Sequence, residues 1–141
     1  MVNGMLETGG AWVGIEQLTL ERVLGGLLQP LAWALGIPWD EAQLAGSLIG
    51  QKFILNEFVA YVTYSEVAGQ LSPHSQAIVI FALCGFANLS SIAILLGGLG
   101  AVAPERRDDI SRYGFRALIA ASLSNLMSAA LAGFFLTLGA A

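Results

Sequence analysis

The sequence has little charge. Of its 141 residues, 11% are Asp, Glu, Lys or Arg, whereas a typical soluble domain has about 25%. Hydrophobic residues make up 56% of the chain, and the mean hydropathy is +0.72. A soluble domain of this size could not cover its surface with so few charges. The composition therefore indicates a membrane protein.

Cysteine and histidine are also scarce, and this bears on the chemistry. Cys84 is the only cysteine and His74 the only histidine. An intrachain disulfide and a Cys-based metal site are therefore excluded. The pattern offers no metal-ligand cluster and no nucleophile with a nearby base, so we expect neither an enzyme nor a bound cofactor. Basic residues form no stripe that would suit nucleic acid.

The bases of the second half are concentrated in one place. Arg106, Arg107, Arg112 and Arg116 lie within eleven residues. Because positive charge is retained on the cytoplasmic side of a membrane, this cluster predicts a cytoplasmic connector over residues 98–112. The first half of the chain and its C-terminus are then expected outside.

The apolar pattern predicts an all-α membrane fold that begins with an amphipathic helix over residues 18–37. Thr19 is expected to cap this helix, and Pro30 to kink or end it. Such a helix either lies along the external membrane interface or packs on a neighbouring helix, and the pattern alone fits both. Trp33 and Trp39 nearby favour the interface.

Residues 38–66 contain two apolar arms on either side of Asn56 and Glu57. Neither arm has the roughly 20 apolar residues that a spanning helix needs, which predicts a re-entrant helical hairpin. One continuous helix with a polar face is the alternative. A carboxylate in such a run must be paired, protonated or facing a polar cavity, so Glu57 is a functional-site hypothesis. Residues 64–75 are expected to form a loop that ends at an N-cap, Ser72.

Two transmembrane helices are predicted, over residues 73–97 and 113–139. The first contains Asn88 and Ser91, three residues apart near its middle. These side chains either hydrogen-bond to a neighbouring helix, or mark a discontinuous helix that unwinds to offer carbonyl groups to a ligand. The last helix carries a stripe that predicts a packing face: Ala121, Asn125, Ser128 and Ala132.

Three stretches closely resemble the motifs of the concentrative nucleoside transporter family (NupC-like), in order and at matching spacing over nearly the whole chain. They are residues 50–61 (Gly-Gln-Lys-Phe-Ile-Leu-Asn-Glu-Phe-Val-Ala-Tyr), residues 82–92 (Ala-Leu-Cys-Gly-Phe-Ala-Asn-Leu-Ser-Ser-Ile) and residues 97–107 (Gly-Gly-Leu-Gly-Ala-Val-Ala-Pro-Glu-Arg-Arg).

The resemblance implies the C-terminal part of a transporter with inverted repeats. Residues 1–17 would be the end of a truncated scaffold helix and a linker. The missing N-terminal half would contact the base and build most of the site for the coupling ion, sodium or a proton. The implied activity is cation-coupled nucleoside uptake across the cytoplasmic membrane, by a multi-pass homotrimer in the lipid bilayer.

Carried over residue by residue, the ribose-recognising carboxylate of the family falls on Glu57. Its amide and hydroxyl fall on Asn88 and Ser91, and Phe86 is expected to pack against the ligand. The chemistry fits, because an ionised carboxylate can accept hydrogen bonds from both vicinal hydroxyls of a ribose.

Lys52 and Asn56 match the same motif and are expected to support the site. Lys52 either neutralises Glu57 or holds the tip of the hairpin. The alternative to transport is a small structural or assembly subunit, because two spans and a hairpin cannot enclose a pathway alone.

Overall fold

The computed structural model describes Gly4 and residues 19–139, and every regular element in residues 19–139 is helical. The predicted scaffold-helix end and linker, residues 1–17, lie outside the described residues apart from Gly4. Short 3₁₀ turns, Ala68–Gln70 and Pro104–Arg106, follow the third helix and precede the last one. The helices are α1 (Leu20–Ala34), α2 (Trp39–Ile54), α3 (Glu57–Val67), α4 (Pro73–Leu83), α5 (Leu89–Val102) and α6 (Arg107–Gly139).

Helix α1 packs closely against α2. The Thr19 hydroxyl accepts a hydrogen bond from Arg22 N, as predicted, and the helix continues past Pro30. A Cβ atom on Gly46 of α2 would lie only 2.9 Å from the backbone of Leu28. The amphipathic helix is therefore packed on a neighbour, although Trp33 remains 59% exposed on its outer side.

A short turn separates α1 from α2 and reverses the chain. Gly36 has φ of 101°, a conformation that other residues adopt only with strain. Pro38 precedes the first residue of α2, and Asp40 and Glu41 lie in its first turn, where acidic side chains suit the helix dipole.

The helical backbone breaks at two further places, and an asparagine caps the helix that follows each break. Asn56 caps α3 by accepting a hydrogen bond from Val59 N at 2.9 Å. Asn88 caps α5 in a reciprocal capping box with Ser91. The first break excludes one continuous helix over residues 38–66. The second shows that residues 73–97 are not one unbroken helix, so the chain unwinds before Asn88.

Two connections are more helical than expected. Helix α3 continues to Val67, so residues 64–75 are a loop only around residues 71–72, although Ser72 does cap α4. The predicted connector is largely helical, because α5 extends to Val102 and the last helix already begins at Arg107. Within residues 19–139 only the stretch Pro104–Gly139 is one helix long and apolar enough to cross a membrane. The span predicted over residues 73–97 consists of two shorter apolar helices, which agrees with the discontinuous alternative.

The buried core lies where α2, α4 and α6 meet. On α6 the packing stripe is one position away from the predicted one: Leu126, Ala129 and Gly133 are buried, whereas Ala121 and Ser128 are exposed. The fully buried apolar side chains on the two partner helices are Ala42, Ala45, Leu48 and Ile49 of α2, and Ile78, Val79, Ala82 and Leu83 of α4.

Candidate functional site

The two helix breaks bring Glu57 and Asn88 together. Glu57 is the first residue of α3, and Asn88 is the N-cap of α5. Asn88 Nδ2 donates a hydrogen bond to Glu57 Oε2 at 3.3 Å. Two helix N-termini and one carboxylate therefore share a single location, where the positive ends of the helix dipoles favour negative charge.

The side-chain amide of Asn88 is fixed from both ends. Its Nδ2 also donates to the Phe86 carbonyl at 3.1 Å, and its Oδ1 accepts from Ser90 Oγ at 2.6 Å and from Ser91 N at 2.9 Å. These contacts use the full hydrogen-bonding capacity of an amide. Asn88 is only 5% exposed, so it is held with one N–H aimed at Glu57.

Glu57 retains capacity to bind something else. It is half-buried, and Asn88 occupies one of the roughly four lone-pair positions of its carboxylate. Asn56, beside it, has its side chain engaged in capping α3. The remaining carboxylate positions can accept hydrogen bonds from hydroxyl groups of a ligand.

Ser91 and Phe86 differ in how they relate to the site: Ser91 bonds to Asn88, and Phe86 is exposed beside it. The Ser91 hydroxyl donates to Asn88 O and accepts from Asn88 N, which makes it part of the capping box. The Phe86 ring is 76% exposed next to the site, while its carbonyl helps to hold Asn88. Ser91 therefore stabilises the amide, and Phe86 offers an open apolar surface.

Lys52 is fully buried and does not contact Glu57 directly. Its Nζ donates to Asn125 Oδ1 of α6 at 3.0 Å and lies 4.7 Å from the centroid of the Phe53 ring. Of the two predicted roles, the contacts fit the one that holds the hairpin tip.

Sequence reasoning missed two residues that connect the breaks. Asn125 was expected only to pack, yet its Nδ2 also donates to Phe81 O at the end of α4, at 2.9 Å. The Tyr61 hydroxyl donates to Ile80 O at 2.9 Å, and the oxygen of the same hydroxyl lies 3.1 Å from Cys84 Sγ. A lone Asn in an apolar helix was the available signal for Asn125, since such a residue needs a polar partner.

A search of the described side chains finds no group of three His, Cys, Asp or Glu residues that could hold a metal ion.

The comparison with protein families identifies this region. The profile described as "Na+ dependent nucleoside transporter C-terminus" matches residues 1–133. The chain is 53% identical to the uncharacterized transporter YutK of Bacillus subtilis (strain 168), over 96% of this chain and 34% of that protein. It is 50% identical to the nucleoside permease NupC of Helicobacter pylori (strain ATCC 700392 / 26695), over 89% of this chain and 31% of that protein.

A solved structure agrees with the sequence relatives. CNTnw in an inward-facing substrate-bound state is 55% identical and superposes with a TM-score of 0.92, over 100% of this chain and 35% of that one. The chain thus spans about a third of the length of the relatives that it matches. These relatives are membrane transporters, not enzymes, and this chain belongs to the concentrative, sodium-dependent nucleoside transporter family, whose C-terminal region it matches.

Proposed function

We propose that this chain forms the ribose-recognising part of a cation-coupled nucleoside transporter in the cytoplasmic membrane. One observation carries the proposal: Asn88 holds the Glu57 carboxylate at 3.3 Å, at the point where two helix breaks meet. The 2′- and 3′-hydroxyls of a ribose are adjacent donors, and an ionised carboxylate can accept from both.

The other site residues have supporting roles in this proposal. Asn88 orients the carboxylate, and Ser91 keeps Asn88 in place through the capping box. The exposed ring of Phe86 packs against the bound nucleoside. Asn56 starts α3 so that Glu57 lies at its first turn, and Lys52 holds the tip of the hairpin.

The membrane arrangement follows from the helix lengths and the charges. Helices α2 and α3 form a re-entrant hairpin, α4 and α5 together cross as a broken span, and α6 crosses alone. The arginines around Arg107 lie on the cytoplasmic side, so the C-terminus is outside. Trp33 and Trp39, both more than half exposed, support a position of α1 at the external interface.

The remaining parts of the site come from the N-terminal portion that the longer relatives contain. That portion supplies the contacts to the base and most of the site for the coupling ion, sodium or a proton; the description of the family as Na+ dependent favours sodium. The whole transporter is a homotrimer that works by alternating access, and the hairpin and the broken span move together.

Uridine uptake tests the proposal. This chain is expressed alone, and also as a chimera in which it replaces the matched third of CNTnw; uptake of radiolabelled uridine is measured with and without sodium. We expect uptake by the chimera that depends on sodium, and we expect Glu57→Gln to weaken it sharply. Glu66→Gln, on the exposed side of the same helix, is the matched control and should transport normally.

Two results would contradict the proposal. Normal uptake by the Glu57→Gln chimera would remove the ribose acceptor. A chimera that inserts in the membrane in normal amount but takes up no uridine would favour the alternative, a structural or assembly subunit.

A further inference from the structure

Asn125 lies on α6, outside the pair of residues assigned to ribose, yet it connects both helix breaks. Its Oδ1 accepts from Lys52 Nζ at 3.0 Å, and its Nδ2 donates to Phe81 O at 2.9 Å. Lys52 is in the last turn of α2, five positions before Glu57, and Phe81 is near the end of α4, seven positions before Asn88. One amide therefore joins the two chain segments that lead into the site.

The contact of Asn125 with Lys52 satisfies a charge that would otherwise be costly to bury, and the contact with Phe81 ties the end of α4 to the same amide. Lys52 has no exposed surface, and an ammonium group buried without a hydrogen-bond acceptor is strongly unfavourable. Phe81 O is one of the last carbonyls of α4 and accepts from Cys84 N at 3.3 Å, so Asn125 gives this carbonyl its second hydrogen bond. The amide has a donor and an acceptor in the orientation that both groups need.

The break between α4 and α5 is shaped around this amide. A Cβ atom on Gly85 would lie 2.5 Å from Asn125 Oδ1 and 2.6 Å from its Cγ, and the three atoms nearest to that Cβ all belong to Asn125. Only glycine allows α6 to bring the amide so close to the unwound backbone. The Asn125 side chain therefore fixes the position of the break itself as well as that of the hairpin tip.

We infer that Asn125 is a positioning residue for ribose recognition: through Lys52 and the Phe81–Gly85 backbone it keeps Glu57 and Asn88 within hydrogen-bonding distance of each other. The inference rests on the proposed function of that pair. Asn125 does not touch the nucleoside. Its loss lets the hairpin tip and the broken span separate, so the two-hydroxyl recognition weakens more than the rest of nucleoside binding.

The test measures discrimination between uridine and 2′,3′-dideoxyuridine in uptake by the CNTnw chimera. Discrimination is expressed as the KM of dideoxyuridine divided by the KM of uridine. We expect Asn125→Ala to reduce this ratio about tenfold, the effect of losing one hydrogen bond to a charged group. Ser128→Ala is the matched control, because Ser128 lies one turn further along α6 and bonds only to its own helix, at Ser124 O. It should leave the ratio unchanged.

Gly85→Ala changes the other partner of the contact between Asn125 and the Gly85 backbone. It replaces Asn125→Ala as the test variant if Asn125→Ala fails to accumulate in the membrane. It should reduce the ratio by displacing the amide. In the Asn125→Ala background, where no amide is left to displace, Gly85→Ala should add little. Non-additive effects of this kind are expected only for residues that act through each other.

Each alternative outcome has one meaning. Equal loss of uridine and dideoxyuridine uptake in Asn125→Ala, with the ratio unchanged, would make Asn125 merely structural and overturn the inference. Additive effects of Gly85→Ala and Asn125→Ala would also overturn it. If Glu57→Gln leaves the ratio unchanged, the proposed function itself fails, and this result differs from a failure of Asn125 alone.

Discussion

Replacing Asn88 by serine separates two roles that this residue has in the structure. Asn88 caps α5 through Oδ1, and it holds Glu57 through Nδ2. Serine is about as good an N-cap as asparagine, so Asn88→Ser keeps the helix start. Its side chain is too short to reach the carboxylate and has no amide to donate. The variant therefore removes the contact to Glu57 and leaves the cap.

The size of the effect follows from the bond that is lost. A hydrogen bond to a charged group contributes about 1.5–3 kcal/mol. If the bound nucleoside must then hold the carboxylate in place by itself, the KM for uridine rises by about 10- to 150-fold. Asn88→Asp also keeps the cap, but it places a second carboxylate at the 3.3 Å contact. Two full charges at that distance repel by up to about 5 kcal/mol at an effective dielectric constant near 20, so aspartate is expected to be worse than serine.

The assay is the initial rate of uridine uptake by the CNTnw chimera, normalised to the amount of transporter in the membrane. Asn56→Ser is the matched control, because Asn56 caps α3 in the same way and does not bond to Glu57. Its KM should stay within about twofold of the unchanged protein. The reasoning is refuted if Asn88→Ser behaves like this control, or if Asn88→Asp transports better than Asn88→Ser.

Two further predictions concern stability of the same chimera in detergent. Gly46→Ala should reduce the free energy of unfolding by about 1–3 kcal/mol and lower the unfolding temperature, because the new Cβ meets α1 backbone at 2.9–3.0 Å. Gly26→Ala has open space around its Cβ and should be neutral or stabilising. Equal effects of the two substitutions would contradict the close packing of α1 on α2. Burial alone would raise the pKa of the Glu41 carboxyl, but hydrogen bonds from Ser75 and Ser72 outweigh it and lower the pKa, so the stabilisation is present above about pH 4.5 and is lost as the pH falls through the lowered pKa. Unfolding temperatures measured between pH 7 and pH 4 should therefore fall more for the unchanged protein than for Glu41→Gln. An equal fall in both proteins would contradict a stabilising role of the Glu41 carboxylate.

Local signals were sufficient for much of the helical framework. The short arms around Asn56 predicted the first break, because neither arm could span a membrane, and Thr19 and Ser72 were predicted as caps. The second break was harder to predict, since residues 77–96 are apolar and long enough for one helix. Asn88 with Ser91 suggested unwinding there but could equally have meant helix packing.

The contacts of the site depend on tertiary structure that periodicity does not contain. Glu57 and Asn88 are 31 residues apart, and the sequence placed them in one site only through the family resemblance. Lys52 and Asn125 are 73 residues apart. A lone Asn in an apolar helix signals that a polar partner exists, but nothing local says which residue that partner is. Two roles stayed open for Lys52 in the sequence, because they differ in which side chain its ammonium group reaches, and that is a tertiary contact.

The central claim is that Glu57 reads the ribose hydroxyls. The most direct measurement compares the KM values of uridine and 2′,3′-dideoxyuridine for the unchanged chimera and for Glu57→Gln, with Glu66→Gln as the control. The account predicts that the dideoxy compound is at least about tenfold weaker for the unchanged protein and for the control, and that the difference disappears in Glu57→Gln. A Glu57→Gln transporter that still prefers uridine by the same factor would contradict it.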